Sequence, residues 1–449
     1  MKAKFHLNIK SALLLISIVF IILIINSCTI NDSPESGGMH PAASIAVFSD
    51  PHYFDPALGT TGEVFQTQVA GDRKLIAESE AILEAVISEI ISQSADVVLI
   101  PGDLTKDGEL ASHQKFAQYL GQIEASGAKV YVVPGNHDIN NPNSYSYLGE
   151  ASTPVANVSP AEFENIYYEF GYGEALERDA NSLSYVAEPV ENLWLIGMDP
   201  CIYDENIGRS HSVTSGEFNS ETYNWIKSKI EEGVSSGKTV FGMMHHGLTE
   251  HFLGQKAIFS PYVIENYETV RSEFASLGMK IVFTGHFHAN DIVKYQSGDS
   301  FVFDVETGST VTWPCPYRFL QLDAEETLTI ATNYITDINY DTGSLSFPDY
   351  AQNFITDGLP SLIIELLEDN FEIVLNDAEQ LAPVLTQAVI AHYAGDEFLS
   401  AETMDLIQQF ISNPDPQVQF FGTGLMAIYT DPDPADNNIT IDLSMGVAY

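Results

Sequence analysis

Five apolar runs in this chain break off in the same way. "SIAVFSDPH", "VVLIPGD", "VYVVPGNHD", "TVFGMMHH" and "IVFTGHFH" each pass from β-branched and aromatic residues straight into Asp, Asn or His. Between the first three lie "KLIAESEAILEAVISEIISQS" and "SHQKFAQYLGQIEASG", whose apolar positions recur at helical spacing. Strand, helix, strand, helix, strand is a βαβαβ order, which implies parallel pairing with helices packed outside the sheet. In such α/β sheets the ligand crevice lies beyond the carboxyl ends of the strands, so the five endings converge on one place. Further runs, "NLWLIGMD", "SFVFDVETGS" and "RFLQLD", predict additional strands.

The endings supply metal donors. Asp50 and His52 stand one residue apart; in an extended segment both side chains point to one side and grip one ion, and His286 and His288 repeat the spacing. Asp103 follows a glycine that permits a tight turn, leaving its carboxylate free to bridge two cations. Asn136 offers an amide oxygen and His245 another nitrogen. Seven mixed oxygen and nitrogen donors are more than one ion usually takes from protein. Singly, each is an ordinary turn former. Jointly they are not ordinary: six of the twelve histidines fall in four short stretches, each at a strand end.

The ordered series D-x-H, G-D, G-N-H-D, H-H and G-H-x-H, here Asp50 to His52, Gly102 to Asp103, Gly135 to Asp138, His245 to His246 and Gly285 to His288, resembles the calcineurin-like metallophosphoesterase superfamily. The resemblance covers about residues 44–335. It implies an α/β fold, a four-layer α-β-β-α sandwich; beyond it, apolar positions at helical spacing predict a C-terminal helical appendage. Carried over residue by residue, it gives one ion to Asp50, His52 and His288 and the other to Asn136, His245 and His286, with Asp103 shared. His246 is the fallback for His245. It also places His137 beside the leaving group, as the catalytic residue. The two divalent ions are Mn, Fe, Zn or Ni, since imidazole and carboxylate suit all four and no thiolate is offered. A water bridging two such ions is a hydroxide source near neutral pH, able to attack phosphorus in line. Asp138 is expected to fix His137 or cap the next segment, and Asp291 to orient a histidine ring or lie in a solvated loop.

The ends of the chain have other characters. Lys2, Lys4 and Lys10 precede an apolar run from Ala12 to Ile25 and then "NSC", a secretory-signal pattern over residues 1–28. "IINSCT" resembles a bacterial lipobox in which Cys28 is acylated, although Asn26 departs from its preference for small or β-branched residues. Cleaved and lipidated or retained as an anchor, the protein is tethered to the membrane outside the cytoplasm, with 29–43 as a flexible stalk. Residues 345–449 read as a small acidic helical domain. Cys201 and Cys315 are too few for a disulfide scaffold and have no zinc-site spacing; they pair or are separately buried.

Charge narrows the substrate. The formal net charge is −44, and no Lys or Arg follows Arg318. Nucleic-acid binding needs clustered cations, so it is excluded as the main task. A paired cation centre would draw a small-molecule or headgroup phosphoester to this surface. Only Arg73, Arg209 and Arg318 offer a phosphate clamp near candidate loops, and that scarcity favours a phosphodiester, such as a cyclic nucleotide, over a monoester. Trp313, Tyr317 and Tyr203 are candidates to stack on a base or sugar. The rivals are a phosphomonoesterase or nucleotidase of the same fold, a non-hydrolytic surface metal-binding module, and a mononuclear iron oxygenase, which would leave several donors without a task.

Overall fold

The computed structural model describes residues 40–69, 73–369, 373–395, 397–430 and 433–449. The expected signal segment, Cys28 and the stalk up to residue 39 lie outside the described residues. Among the described residues no helix is long and apolar enough to cross a membrane.

The β-branched runs form strands because both of their faces are covered. All four side chains of Val97–Ile100 are buried, as are those of Ile281–Thr284. Full burial of each such aliphatic side chain is worth about 1.5–3 kcal/mol. The helical stretches bury one stripe. In Ser79–Gln93 the stripe is Ile82, Leu83, Val86, Ile87 and Ile90, and in Leu110–Ala125 it is His113, Phe116, Tyr119, Leu120 and Ile123. The first helix stops at Ser94, whose φ of 57° is left-handed.

Two seven-stranded sheets result. One runs Val447–Ala448, Asn438–Asp442, Thr327–Tyr334, Pro316–Leu322, Ala43–Val47, Val97–Ile100, Lys129–Val132. Its last three strands are parallel, with Ala46 opposite Val98 and Leu99 opposite Tyr131. The other runs Asp291–Ser297, Ser300–Glu306, Ile281–Thr284, Thr239–Met243, Leu193–Gly197, Tyr185–Val190, Glu177–Arg178. The strands from Ser300–Glu306 to Leu193–Gly197 are parallel. One core cluster joins residues of both sheets, among them Val47, Leu99, Phe241, Phe283 and Phe303, with the helices Ser79–Gln93 and Leu110–Ala125. A second cluster packs Trp194, Ile196, Val240 and Val282 under the helices Ser220–Ser235 and Tyr267–Leu277. Helices, sheet, sheet, helices is the expected four-layer order.

The region expected to be helical contains Phe347–Asp369, Leu375–Ala394, Ala401–Ile411 and Pro416–Ile428. It does not end as helix. Asn438–Asp442 returns to pair antiparallel with Thr327–Tyr334, because its Ile439 and Ile441 are a period-2 apolar pair that the sheet edge buries. The apolar faces of the four helices close on Phe252, Phe287 and Ala289. Phe287 stands between His286 and His288, so these helices pack directly behind that histidine pair.

Candidate metal centre

Every expected donor follows a parallel strand. Asp50 and His52 follow Ala43–Val47, Asp103 follows Val97–Ile100, Asn136 follows Lys129–Val132, His245 follows Thr239–Met243, and His286 and His288 follow Ile281–Thr284. The structure brings all seven together. Asp50, His52 and His288 form one group whose donor atoms lie within 4.8 Å of one another, and Asp103, His245 and His286 form another. His52 Nε2 lies 3.2 Å from His288 Nε2, and His288 Nε2 lies 3.5 Å from Asp50 Oδ1. On the other side His245 Nε2 is 3.1 Å from Asn136 Oδ1. Asp103 Oδ2 joins the halves, 3.6 Å from His52 Nε2 and 3.3 Å from His245 Nε2.

Asp50 and His52 share their aim for a different reason from strand alternation. The segment is not extended: Asp50 and His52 have φ of 48° and 37°, Asp103 has 48°, and His286 and His288 have 77° and 67°. Each left-handed non-glycine residue costs roughly 1–3 kcal/mol, and such strain gathers where a site must be held in one geometry. Tight loops, not strand alternation, turn these side chains inward. The flanking glycines permit it. A Cβ on Gly135 would sit 2.2 Å from Asp103 N and Oδ1, and one on Gly285 would sit 2.1 Å from Ser49 Oγ and 2.3 Å from Asp50 Oδ2.

Other contacts fix the donors' orientation. His245 Nδ1 faces the Pro101 carbonyl at 2.9 Å and His288 Nδ1 faces Thr312 Oγ1 at 3.1 Å, which directs both Nε2 atoms inward. Asp50 accepts the His286 main-chain N–H at 3.1 Å and the Ser49 hydroxyl at 2.5 Å. Burial drives His52, His286 and His288 below the ordinary imidazole pKa, with cationic and imidazole neighbours adding to it and Asp50 and Asp103 opposing it, so these rings keep a free lone pair. Burial acts the same way on His245, but Asp103 overrides it and raises that group to about 9. The buried His286 Nε2 has no hydrogen-bond partner. Two imidazole nitrogens facing each other at 3.2 Å, an orphaned buried nitrogen and a shared carboxylate fit a pair of divalent cations.

His246 is not in either group: its Nε2 faces the Thr214 carbonyl at 2.8 Å. His137 borders the centre, with Nε2 3.9 Å from Asp103 Oδ2 and its side chain 25% exposed against 2% for Asp103. Its holder is not Asp138. That carboxylate accepts N–H groups of Leu104, Thr105 and Gly135 at 2.8–3.1 Å, tying two site loops together. Asp107 holds His137 instead, with Oδ1 3.0 Å from Nδ1. Asp107 was missed because "DLTKD" has no strand ending to mark it.

The basic and aromatic candidates scatter. Arg318 is fully buried and donates to the carbonyls of Glu306 at 2.8 Å and Asp436 at 2.6 Å, since its strand points it into the sandwich. Arg209 pairs with Glu205 on the surface. Arg73 acts on His288, and its neighbour Lys74, not singled out from the sequence, acts on His52, His137 and His288. Tyr203 is buried and donates to Asp199 at 2.9 Å, while Tyr317 is a core residue. The aromatic wall is built from other residues: Tyr262 lies 4.6 Å from the His286 ring, and Tyr393 lies 6.5 Å from that of His288. With Phe259 and Phe287 they line a cavity of about 230 Å³ whose other wall is made by leucines of the C-terminal helices, with Arg73 also on it.

Residues 43–290 match the profile of a family described as calcineurin-like phosphoesterase. The chain belongs to that family. Within it, 59 residues are 39% identical to a probable cyclic nucleotide phosphodiesterase of Ruthia magnifica subsp. Calyptogena magnifica, covering 13% of this chain and 24% of that protein. A second probable cyclic nucleotide phosphodiesterase, from Vesicomyosocius okutanii subsp. Calyptogena okutanii, is 38% identical over 92 residues, 20% of this chain and 32% of its own length. The chain thus spans a third or less of these relatives. Among solved structures, a dimetal phosphatase from Danio rerio aligns at 14% identity and a TM-score of 0.48, covering 66% of this chain and 96% of its own. This calcineurin-like phosphoesterase also aligns with a purple acid phosphatase from yellow lupin, at 13% identity and a TM-score of 0.43, over 66% and 52% of the two chains.

Proposed function

We propose that this calcineurin-like phosphoesterase is a dinuclear hydrolase of phosphodiesters. The observation that carries the reading is the position of Asp103 between two donor groups of matching make-up. Asp50, His52 and His288 would hold one ion and Asn136, His245 and His286 the other. When bound, the pair would supply a hydroxide source at neutral pH and charge neutralisation for the phosphoryl oxygens.

The chain's own groups do the rest. His137 Nδ1 donates to Asp107, which turns Nε2 toward the centre. Burial disfavours its charged form, but Asp103 and Asp107 more than offset this, so its pKa rises. In the protonated form that these carboxylates favour, Nε2 holds the proton that can pass to the departing oxygen. Arg73 and Lys74 add positive charge at the rim. That supply is thin for a doubly charged monoester and adequate for a diester. The names of the two curated relatives point the same way, toward a cyclic nucleotide as substrate.

A second substrate reading has one observation behind it, the apolar cavity beside His286 and His288. A diester carrying a hydrocarbon chain would fill it and a cyclic nucleotide would not. We also propose that the protein acts in the cell envelope, anchored through lipidated Cys28.

The test is an assay of purified protein with a chromogenic phosphodiester and monoester under Mn²⁺, Zn²⁺, Fe²⁺ and Ni²⁺, followed by cyclic nucleotides and long-chain diesters. Faster diester cleavage with at least one ion is expected. No hydrolysis with any ion would leave a surface metal-binding module.

A further inference from the structure

A second buried group of histidines and carboxylates lies outside the paired centre. Asp291 opens the strand Asp291–Ser297, three residues after His288, while His392 lies in the last turn of Leu375–Ala394 and Glu397 follows it. The side chains of His392, Asp291 and Glu397 are 2%, 2% and 1% exposed. His251, Asp304 and Glu306 adjoin them, equally buried.

Some of this charge is accounted for by ordinary bonds. Asp304 accepts the Thr284 hydroxyl at 2.6 Å and the Leu248 N–H at 2.7 Å, Glu306 accepts the Ala289 N–H at 3.2 Å, and Asp291 Oδ1 lies 3.0 Å from His251 Nδ1. Asp291, His392 and Glu397 remain, each with a donor atom within 4.8 Å of the others. His392 Nδ1 faces Glu397 Oε1 at 2.5 Å and Asp291 Oδ2 at 3.5 Å. Glu397 Oε2 and the Nε2 atoms of His251 and His392 have no hydrogen-bond partner. The His392 ring packs edge-on against Phe252, with centroids 5.3 Å apart. The His251 ring is served by Asp304 Oδ2 at 3.3 Å and Glu306 Oε2 at 3.5 Å from its Nε2, which leaves His392 to Asp291 and Glu397.

Four carboxylates, of Asp291, Asp304, Glu306 and Glu397, face two imidazoles here, and residues 319–449 contribute no Lys or Arg to balance them. Arg318 is nearby but donates to main-chain carbonyls of Glu306 and Asp436.

We propose that Asp291, His392 and Glu397 hold a further divalent ion of the zinc or manganese class, which pins the C-terminal helices to the strand leaving His288. One imidazole and two carboxylates, from the end of one helix and the start of one strand, are a sufficient donor set for such an ion. The three meet only when the helices are seated. Binding there therefore stabilises the seated arrangement in which these helices line the apolar cavity. The site does not depend on occupancy of the paired centre, because it shares no donor with it.

Full-length protein is stripped with a chelator, reloaded with Zn²⁺, desalted and assayed for zinc per chain, and crystals of the same material are mapped at the zinc edge. The expected result is an anomalous peak among His392 Nδ1, Asp291 Oδ2 and Glu397 Oε1, and one ion fewer per chain in His392→Gln and in Glu397→Gln than in the unmodified protein. No peak at that spot, or unchanged stoichiometry in folded variants, would overturn the proposal in favour of a metal-free network. If the variants do not fold, the map of the unmodified protein decides alone.

Discussion

Asp103 Oδ1 accepts the main-chain N–H of His137 at 2.9 Å, and this bond leaves Oδ2 to face the histidines on both sides. The residue expected to bridge the ions and the residue expected to protonate the leaving group are thus set by a single contact. The separation of their roles can be measured.

Asp103→Asn keeps an oxygen for the His137 N–H but removes the shared negative charge. Metal content should fall from two ions to one or none, and hydrolysis should drop by about a hundredfold or more. Bound metal per chain, measured beside the rate, checks this; full metal content would remove Asp103 as the bridge.

His137→Ala should leave metal content unchanged and slow turnover by about a hundredfold or more. An unaltered kcat would exclude His137 from the mechanism. Asp107→Asn should act through His137, lowering kcat by about tenfold and shifting the alkaline limb of the pH profile to lower pH, since a carboxylate that favours the protonated ring is lost. A fall in KM alone would contradict that positioning role.

Gly285→Ala places a methyl carbon against Ser49 Oγ and the Asp50 carboxylate. The loop must shift, at a cost of about 1–3 kcal/mol. Denaturant unfolding should register the loss, and metal affinity should fall with it because Asp50 moves.

Acid sensitivity has an identifiable source at His113. Burial depresses its pKa to about 4, while Nδ1 lies 2.8 Å from the Tyr167 hydroxyl and Nε2 lies 2.9 Å from the Asp138 carbonyl. The unfolded chain takes up this proton near the ordinary value of about 6.5, before the folded one does. Stability is therefore lost as pH falls from about 6.5 to 4, by up to about 3 kcal/mol from this group. Urea unfolding of metal-free protein at pH 7 and pH 5 should show a smaller difference in His113→Gln than in the unmodified chain; an equal difference would assign the sensitivity elsewhere.

The sequence carried much of this because parallel strands deliver their carboxyl ends to one edge, so Asp50, Asp103, Asn136, His245 and His286 are each marked by the apolar run before them. Spacing failed where loops depart from regular backbone. The left-handed φ values of Asp50 and His52 cannot be read from "SDPH", although the outcome, two donor side chains turned to one place, is the same. Arg318 was misassigned because a cation in a strand looks alike from either face, and burial decides which face it uses. Asp107 and His392 were invisible for a third reason: their partners His137 and Asp291 lie far off in the sequence, and nothing local to them records the pairing.

The most direct test of the paired centre is an anomalous-scattering map of crystals grown with Mn²⁺ or Zn²⁺. Two neighbouring peaks, one near Asp50, His52 and His288 and one near Asn136, His245 and His286, with Asp103 Oδ2 within coordination distance of both, are the expected result. A single peak, or none inside that ring of side chains, would contradict the dinuclear account.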